Sequence, residues 1–506
     1  MLRSACFMLD FIINQTMDFL ETMPKLTRKK KGQFFTSKET AVFMASLFDF
    51  SNIPDTIEIL DPGAGTGILS AALLDRIIHE RPVKAVNLTC YENDPAVLPI
   101  LKKNLMYIKE HSDILCNVTI VEDDYIVPQA GDFEGTLLAE RHPKKYDVII
   151  GNPPYVRVPR NHPAALAMPS VVHGAPNLYF LFAAMSLFNL QEEGEMVYII
   201  PRSWTSGEYF RRFRTYLLKY GKIVQIHLFV SRDKVFKQEQ VLQETLIIKV
   251  QKTAKTPDTV KITSTESNSD FKSITGITVP YGTVVAGERL YVYLPTSEED
   301  VAVIQTIHRY ERTMPDEGLQ MHTGIVVDFR QKDELENEPG EHTVPLFYSQ
   351  NIRSGRVDHR PSGNSYDWIR DVKPGLIQKN QNYVFCKRFT AKEEYRRLQC
   401  GIYLAKDFPD YQFIGTQNKI NYISRIDKSE MSTCLTFGVY ALLNSTLFDR
   451  YYRILNGSTQ VNSTEINSIP VPPIAMIEAM GRELMTVENL STETCDKIIK
   501  GVAYGE

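Results

Sequence analysis

Four consecutive residues carry the sharpest chemistry in the sequence: Asn152-Pro153-Pro154-Tyr155, directly after the apolar run Tyr146 to Ile150 and Gly151. The run predicts a short buried strand, and Gly151 lets the backbone leave it. Asn152 then stands at a strand's carboxyl end, where open α/β sheets keep their ligands. Pro153 and Pro154 fix their own φ angles, hold the residue before each extended, and offer carbonyls without N–H groups. A stiff loop presenting an amide, a backbone carbonyl and an aromatic ring suits a flat, amino-bearing molecule. Taken alone, the same residues also describe a strand followed by a Pro-rich turn.

A second constellation precedes it. Ile57 to Leu60 reads as a strand, followed by Asp61-Pro62-Gly63-Ala64-Gly65-Thr66-Gly67 and an Ala/Leu-rich helix from Ile68 to Ile78. A glycine-rich strand-to-helix turn lets a ligand approach the backbone and the helix N-terminus. The spacing is GxGxG, not the dinucleotide pattern GxGxxG, and the leading Asp61 can pair with an ammonium group. The strand Val86 to Tyr91 ends in Glu92, an acid placed to accept both hydroxyls of a ribose; a solvent-facing acidic turn is its plainer reading. Val118 to Val121 ends in Glu122-Asp123-Asp124-Tyr125, and Asp124, with an aromatic after it, is the choice for an adenine amino group.

These residues need elements to position them. Phe7 to Met23 predicts an amphipathic helix with Phe7, Phe11, Met17 and Leu20 near one face. A second helix follows Lys29 to Thr36, capped by Thr36 or Ser37, with Val42, Phe43, Ala45, Leu47 and Phe48 on its apolar face. After the fourth strand come an apolar helix (Pro176 to Leu190), a strand (Met196 to Ile200), a basic helix (Tyr209 to Tyr220) and strands at Ile223 to Val230 and Val241 to Val250. Such alternation implies a doubly wound α/β domain. The Thr/Ser/Lys-rich stretch Gln251 to Ser273 predicts a loop, hairpin or linker. From about Leu290 short strands and turn signals alternate to Gly415. Helices are then expected at Phe437 to Leu455 and Ile474 to Leu490.

Composition sets bounds. With 506 residues, 43% hydrophobic and 23% charged, the chain is an ordinary globular protein of two or three domains. A net charge of -4 argues against a uniformly basic nucleic-acid coat but allows a local basic cleft. The Lys/Arg-dense patches are Lys25 to Lys38, Arg202 to Arg214 and Lys387 to Arg397. Seven cysteines without a CxxC pair fit a reducing cytoplasm, and neither they nor the histidines form a metal pattern. No signal peptide or membrane-spanning run is expected.

The order Gly32-Gln33-Phe34-Phe35-Thr36, Asp61 to Gly67, Glu92, Asp124 and Asn152 to Tyr155 resembles the gamma group of N6-adenine DNA methyltransferases, mostly of type II restriction–modification systems. The resemblance is specific over about the first 250 residues and looser beyond, where Leu442 to Ser445 and Ile469 to Pro473 look like the family's C-terminal ends. It implies a Rossmann-like S-adenosylmethionine-dependent methyltransferase sheet, with a catalytic domain over 1–285 and a mixed α+β target-recognition domain over 286–506. By resemblance Thr36, Asp61, Gly63, Gly65, Gly67, Glu92, Asp124 and Asn152 would surround S-adenosyl-L-methionine. Asn152, Pro153, Pro154 and Tyr155 would engage a flipped adenine in double-stranded DNA, with Phe236 on its other face or an ordinary core aromatic. Asn93 departs from the apolar residue expected beside the cofactor adenine. Arg353, Arg356, Arg370, Lys387 and Arg388 are candidates for DNA contacts. The family further implies a cytoplasmic monomer without a metal, acting beside a separate cognate restriction endonuclease. Size and motif layout are similar to those of members that methylate CTGCAG.

Rival readings differ in chemistry. A C5-cytosine methyltransferase needs a nucleophilic cysteine after a proline, and none of the seven cysteines has one. Enzymes acting on a ribosomal RNA guanine or a protein glutamine share the Asn-Pro-Pro-Tyr loop. The Gln33 to Thr36 segment and the long C-terminal portion favour DNA. A non-catalytic DNA-binding specificity protein would not need both the cofactor loop and Asn152 to Tyr155. Pro257-Asp258 and Asp270-Phe271-Lys272 can be set onto a nuclease PD…DxK pattern, but that pattern is degenerate and its surroundings read as a loop.

Overall fold

The computed structural model describes all residues except 1–6, 25–31, 33–34, 81–82, 137–142, 230–243, 269–270, 361–365, 372, 392–393, 457–459 and 505–506. Phe236 and its neighbours, together with Gln33 and Phe34, therefore lie outside the described residues. Two compact units result, Met1–Ser297 and Glu298–Glu506. The sequence-based boundary at 285/286 falls within the first.

The first unit is built on a nine-stranded sheet: β1 (Thr56–Pro62), β2 (Ala85–Tyr91), β3 (Leu115–Val121), β4 (Tyr146–Gly151), β5 (Leu190–Pro201), β6 (Lys222–Phe229), β7 (Thr245–Gln251), β8 (Thr259–Thr265) and β9 (Thr275–Pro280), in the order 3-2-1-4-5-7-6-8-9. β1 to β5 pair in parallel, β7 is inserted antiparallel to both β5 and β6, and β8 runs parallel to β6. β1 and β4 are buried almost throughout, as parallel strands covered on both faces must be. Strand order reverses between β1 and β4. That switch point opens a crevice at the carboxyl ends, and both chemical loops leave the sheet there.

Several expectations are corrected by packing. The helix Phe7–Thr22 buries Met8, Leu9, Ile12 and Thr16, while Met17 is exposed, so its buried stripe is rotated from the one read in the sequence. In the helix Lys38–Ser46, Ser37 is the cap, its side chain accepting from Thr40 N at 3.2 Å; Val42 faces out and Met44 in. Of the loop, hairpin or linker expected over Gln251 to Ser273, the hairpin alternative fits, since part of the stretch is β8, which joins β9 in an antiparallel pair. Its buried hydroxyls are tolerated because Thr263 and Thr265 meet the two ring nitrogens of His227 at 2.9 and 3.1 Å, and Ser264 meets Thr275 at 2.9 Å. Burial pushes His227 down to about 3, which keeps its ring neutral in this cluster.

The second unit carries a six-stranded and a five-stranded sheet. Phe347, Tyr383, Phe385, Tyr403, Ile414 and Ile420 form one of its cores. The single helix expected over Phe437 to Leu455 is two, Thr433–Leu443 and Thr446–Leu455, because the buried Ser445 leaves the helical conformation as an N-cap and accepts from Phe448 N. The helix expected over Ile474 to Leu490 ends at Leu484, and a further helix, Thr492–Tyr504, follows that the sequence reading did not include. Helices Thr433–Leu443 and Ile474–Leu484 touch backbone to backbone: a Cβ on Gly438 would meet Ile477 O, and one on Gly481 would meet Cys434 O.

Candidate active site

β4 delivers Asn152 to the crevice. Gly151, its last residue, has no positive φ; its missing Cβ makes room for the Tyr198 ring, which would lie 2.9 Å from such an atom. The sequence suggested a flexible exit here, whereas the structure uses close packing. Tyr198 in turn meets Ser186 Oγ at 2.6 Å, and Ser186 meets the Tyr125 hydroxyl at 3.0 Å, so a buried polar chain braces the floor beneath the site.

The Asn152 carboxamide is held at both ends. Its Nδ2 donates to Thr36 Oγ1 at 3.1 Å, and its Oδ1 accepts from the Tyr155 hydroxyl at 2.9 Å. That hydroxyl also lies 2.9 Å from Ile199 O on β5. Tyr155 is only 7% exposed, and its ring meets Tyr179 edge to face at 6.3 Å. Burial raises its phenol well above the ordinary range, so it stays a neutral donor. The sequence gave Tyr155 an aromatic face; that its hydroxyl orients Asn152 was not visible, because Ile199 is remote in the chain. Tyr155 N also donates to Gly32 O at 3.2 Å, which ties Gly32 to the Asn152–Tyr155 loop. Gly32 has φ +64, and a Cβ there would collide with Val156.

A cavity of about 480 Å³ opens beside Asn152, lined by the glycine loop, the ends of β2 and β3, Thr36, Asn152, Pro154, Phe182 and His162. Thr36, Gly63, Gly65, Glu92, Asp124 and Asn152 all border it, together with Asn93. Pro153, Tyr155, Asp61 and Gly67 do not. Glu92, Asp94, Asp123 and Asp124 give the lining four carboxylates, and among the described residues no lysine or arginine lines the cavity. Such a wall favours a cationic ligand.

Individual acids are placed more specifically than the sequence showed. Glu92 accepts from Gly65 N (3.0 Å) and Asp94 N (2.8 Å), so it fixes the glycine loop as well as facing the cavity; burial raises its pKa. Asp124 Oδ1 accepts from Ile126 N and Val127 N at 2.8 and 2.7 Å, which turns the chain after β3. Asp61 lies behind the loop, 1% exposed, with Ser70 Oγ donating to its Oδ2 at 2.7 Å. Burial, with nearby Glu92 adding to it, pushes Asp61 up to about 7. Its Oδ1 is buried with no hydrogen-bond partner among the described residues. Gly63 and Gly65 hold φ +82 and +56, which glycine adopts without strain, and their Cα faces lie beside Phe182 and Phe35. A partnerless carboxylate oxygen behind the loop, an acidic wall, and aromatic surface from Tyr91, Tyr125 and Phe182 together fit a cationic nucleoside-bearing group.

The chain is 34% identical over 494 residues to the type II methyltransferase M.BsuBI of Bacillus subtilis, covering 94% of this chain and 95% of that one. The chain belongs to the type II methyltransferase family. It is also 30% identical to the type II methyltransferase M.PstI of Providencia stuartii, over 92% of this chain and 91% of that one. Residues 87–236 match the family of Eco57I restriction-modification methylases. Among solved structures, the type IIL restriction-modification enzyme MmeI superposes with a TM-score of 0.54 at 12% identity, covering 96% of this chain and 78% of that one, which supports the fold.

In this methyltransferase the sequence had not singled out Phe182, Tyr91, His162 or Val97 as cavity residues. Tyr91 was findable, as the aromatic directly before Glu92. Phe182 was not: its helix, Leu178–Asn189, is apolar nearly all round, so no stripe marks the face toward the site. Of the nuclease-like pattern, Asp270 lies outside the described residues, and no cluster able to hold a metal occurs among those described. No described helix is long and apolar enough to cross a membrane.

Proposed function

We propose that this methyltransferase transfers a methyl group from S-adenosyl-L-methionine to N6 of an adenine flipped out of double-stranded DNA, as the modification enzyme of a restriction–modification system. The observation that carries this reading is the Asn152 carboxamide, fixed between Thr36 and Tyr155 at the rim of an acid-lined cavity. An exocyclic amine is a weak nucleophile because its lone pair is delocalised into the purine. Asn152 Oδ1 and the Pro153 carbonyl accept its two hydrogens and draw the nitrogen toward sp³, which frees the lone pair. Acceptors already in place stabilise charge that develops only in the transition state. Because Asn152 Oδ1 also accepts from Tyr155, its remaining lone-pair direction is fixed before substrate arrives.

The cofactor supplies an electrophilic methyl on a sulfonium centre. Glu92 holds its ribose, Asp124 faces its adenine, and Asp61 adds negative charge behind Gly63 to Gly67. Thr36 sits beside its methionine end and steadies Asn152. Pro154 and Tyr155 flank the flipped base, and Phe236 covers its other face. Residues 286–506 read the target sequence, with Arg353, exposed on its surface, among the candidate contacts. Arg370 is engaged by Glu336, and Arg388 donates to Asn418 O and stands over Phe389. We expect a monomer, since one methyl transfer per strand needs one site, acting beside a separate endonuclease of the same specificity.

The test is transfer of labelled methyl from S-adenosylmethionine to unmethylated duplex DNA, with a CTGCAG duplex as the first substrate. Methylation-aware sequencing of DNA from cells expressing the chain then locates the base. N6-methyladenine within one recurrent sequence is expected. Label appearing only in ribosomal RNA or protein, or no transfer by chain that binds the cofactor, overturns the reading.

A further inference from the structure

The lining of the cofactor cavity is acidic, yet the surface following the catalytic loop has the opposite sign. Residues just after Tyr155 are pinned to the sheet's neighbourhood: Leu178 N donates to Val156 O and Val158 N to Pro176 O, both at 2.8 Å. Arg157, between them, is exposed and lies over the Tyr209 ring at 5.7 Å. Arg160 is also exposed and has no ion-pair or hydrogen-bond partner among the described residues. It lies near Gly174, where a Cβ would strike the Tyr209 ring and come within 3.6 Å of Arg160 Nη2. His173 approaches Tyr209 from the other direction, with ring centroids 6.3 Å apart.

The positive surface continues along the helix Arg211–Tyr220. A cleft of about 440 Å³ there is lined by His173, Arg211, Arg212, Lys219 and Tyr216, among others. Among the described residues, Glu208 and Glu134 are carboxylates of this region. Glu208 pairs with Arg289 at 2.5 Å and with Arg211 at 3.8 Å, and Glu134 accepts from Ser170. Against them stand Arg157, Arg160, Arg211, Arg212 and Lys219. The sequence had marked Arg202 to Arg214 as one basic patch, but the structure divides it. Arg202 pairs with Glu244, and Arg214 is fully buried, donating to the carbonyls of Trp204 and Gly207. Arg211 and Arg212 alone of that patch's arginines remain outside.

We infer that Arg157 and Arg160, continued by Arg211, Arg212 and Lys219, form a phosphate-binding rim on the catalytic unit that grips the DNA backbone beside the base held at Asn152. The inference rests on the DNA-methylating reading and extends it to a surface which that reading does not need. Guanidinium groups held by a rigid loop next to the site can engage phosphate oxygens in pairs. A polyanion repelled by the four cavity carboxylates is drawn instead to this rim, which leaves only the neutral base to enter. Phosphate contacts carry no sequence information, so the rim acts on every duplex alike.

The test measures binding of the full chain to fluorescent duplex oligonucleotides across a potassium chloride series. The double variant Arg157→Gln/Arg160→Gln is expected to lower the slope of log K against log salt by about 0.9 per lost contact, about 1.8 in all, for target and non-target duplexes equally. Cofactor affinity stays at the wild-type value. Arg157→Lys/Arg160→Lys keeps the charges and restores most of the slope. An unchanged slope in the Gln pair overturns the inference, and so does a Lys pair that fails like the Gln pair, since the arginines would then act by packing on Tyr209. Wild-type chain that binds cofactor but no duplex overturns the DNA reading itself.

Discussion

Replacing Tyr155 by phenylalanine separates two tasks that the sequence merges in one residue. The ring remains available to flank a base, while the hydroxyl, 2.9 Å from both Asn152 Oδ1 and Ile199 O, is removed. A phenol carries one hydrogen, so the two acceptors share it, and the variant deprives both. A neutral hydrogen bond contributes about 0.5–1.5 kcal/mol net, and a buried acceptor left without its donor costs about 1–3 kcal/mol. Part of that loss falls on stability. The part that reaches catalysis is the freedom regained by the Asn152 amide, which keeps only its Thr36 partner of these two. We expect about 1–2 kcal/mol of transition-state stabilisation to vanish, roughly a 5- to 30-fold lower kcat. KM for DNA and cofactor affinity stay near wild type, because the interaction is not made with either ground state.

The assay is single-turnover methyl transfer, run beside 2-aminopurine fluorescence at the target position to report base extrusion. Tyr155→Phe should keep the fluorescence signal and lose rate. Tyr155→Ala should lose both, with stacking worth about 1–3 kcal/mol by analogy with other aromatic platforms. A Phe variant that turns over within twofold of wild type refutes the orienting role of the hydroxyl. If it turns over slowly and also loses the fluorescence signal, the two tasks are not separable and the reasoning fails in a different place.

Asn152→Ala should bind cofactor as wild type does and lose roughly 10²–10³ in kcat, the scale of one preorganised transition-state partner; calorimetry and a transfer assay check the two halves. Asp61 has its folded pKa raised to about 7 from the ordinary value near 4, so its contribution is fully present below pH 4 and is lost as pH rises toward 7. Between pH 5 and pH 7 the cofactor-free wild type should therefore lose on the order of 2–3 kcal/mol relative to Asp61→Asn, read as a widening gap in thermal unfolding; parallel curves refute it. Gly32→Ala combines a left-handed φ with a collision against Val156, and should cost roughly 2 kcal/mol or more and slow transfer, because Gly32 O accepts from Tyr155 N. In the second unit Gly438→Ala should destabilise by at least about 2 kcal/mol by forcing apart the helices Thr433–Leu443 and Ile474–Leu484, seen as a lower unfolding temperature with unchanged cofactor binding.

Much of the catalytic unit was legible because buried parallel strands announce themselves as short apolar runs that end in a change of chemistry. Ile57 to Leu60 ending at Asp61, Val86 to Tyr91 ending at Glu92 and Tyr146 to Ile150 ending at Asn152 each mark a strand's carboxyl end, and β1, β2 and β4 lie side by side. What escaped depends on partners remote in sequence. The stretch that holds β8 leaves loop, hairpin and linker open until His227, on β6, is seen to satisfy Thr263 and Thr265. The stripe of the first helix is set by its neighbours, with Leu9 N reaching Asp75 Oδ2 and Thr16 reaching Thr66; periodicity alone included Met17, which is exposed, although Phe11 does stack on Tyr107. The helix break at Asn444-Ser445 had a local signal in the capping serine, but the apolar pattern on either side outweighed it.

The same distinction explains why charge was the least legible property. Counting lysines and arginines treats Arg202, Arg211, Arg212 and Arg214 as one patch, although Glu244 binds the first and the carbonyls of a tight turn enclose the last. Counting acids, conversely, gives a mildly negative chain and hides where the carboxylates gather. Folding separates the two signs: Glu92, Asp94, Asp123 and Asp124 line the cavity, while Arg157 and Arg160, in the segment after the loop, are exposed. A methyl donor carrying positive charge and a nucleic acid carrying negative charge must meet at one amide without trading places. On the proposed reading, the acid-lined cavity takes the methyl donor and the exposed arginines after the loop take the nucleic acid, with Asn152 among the residues that line that cavity.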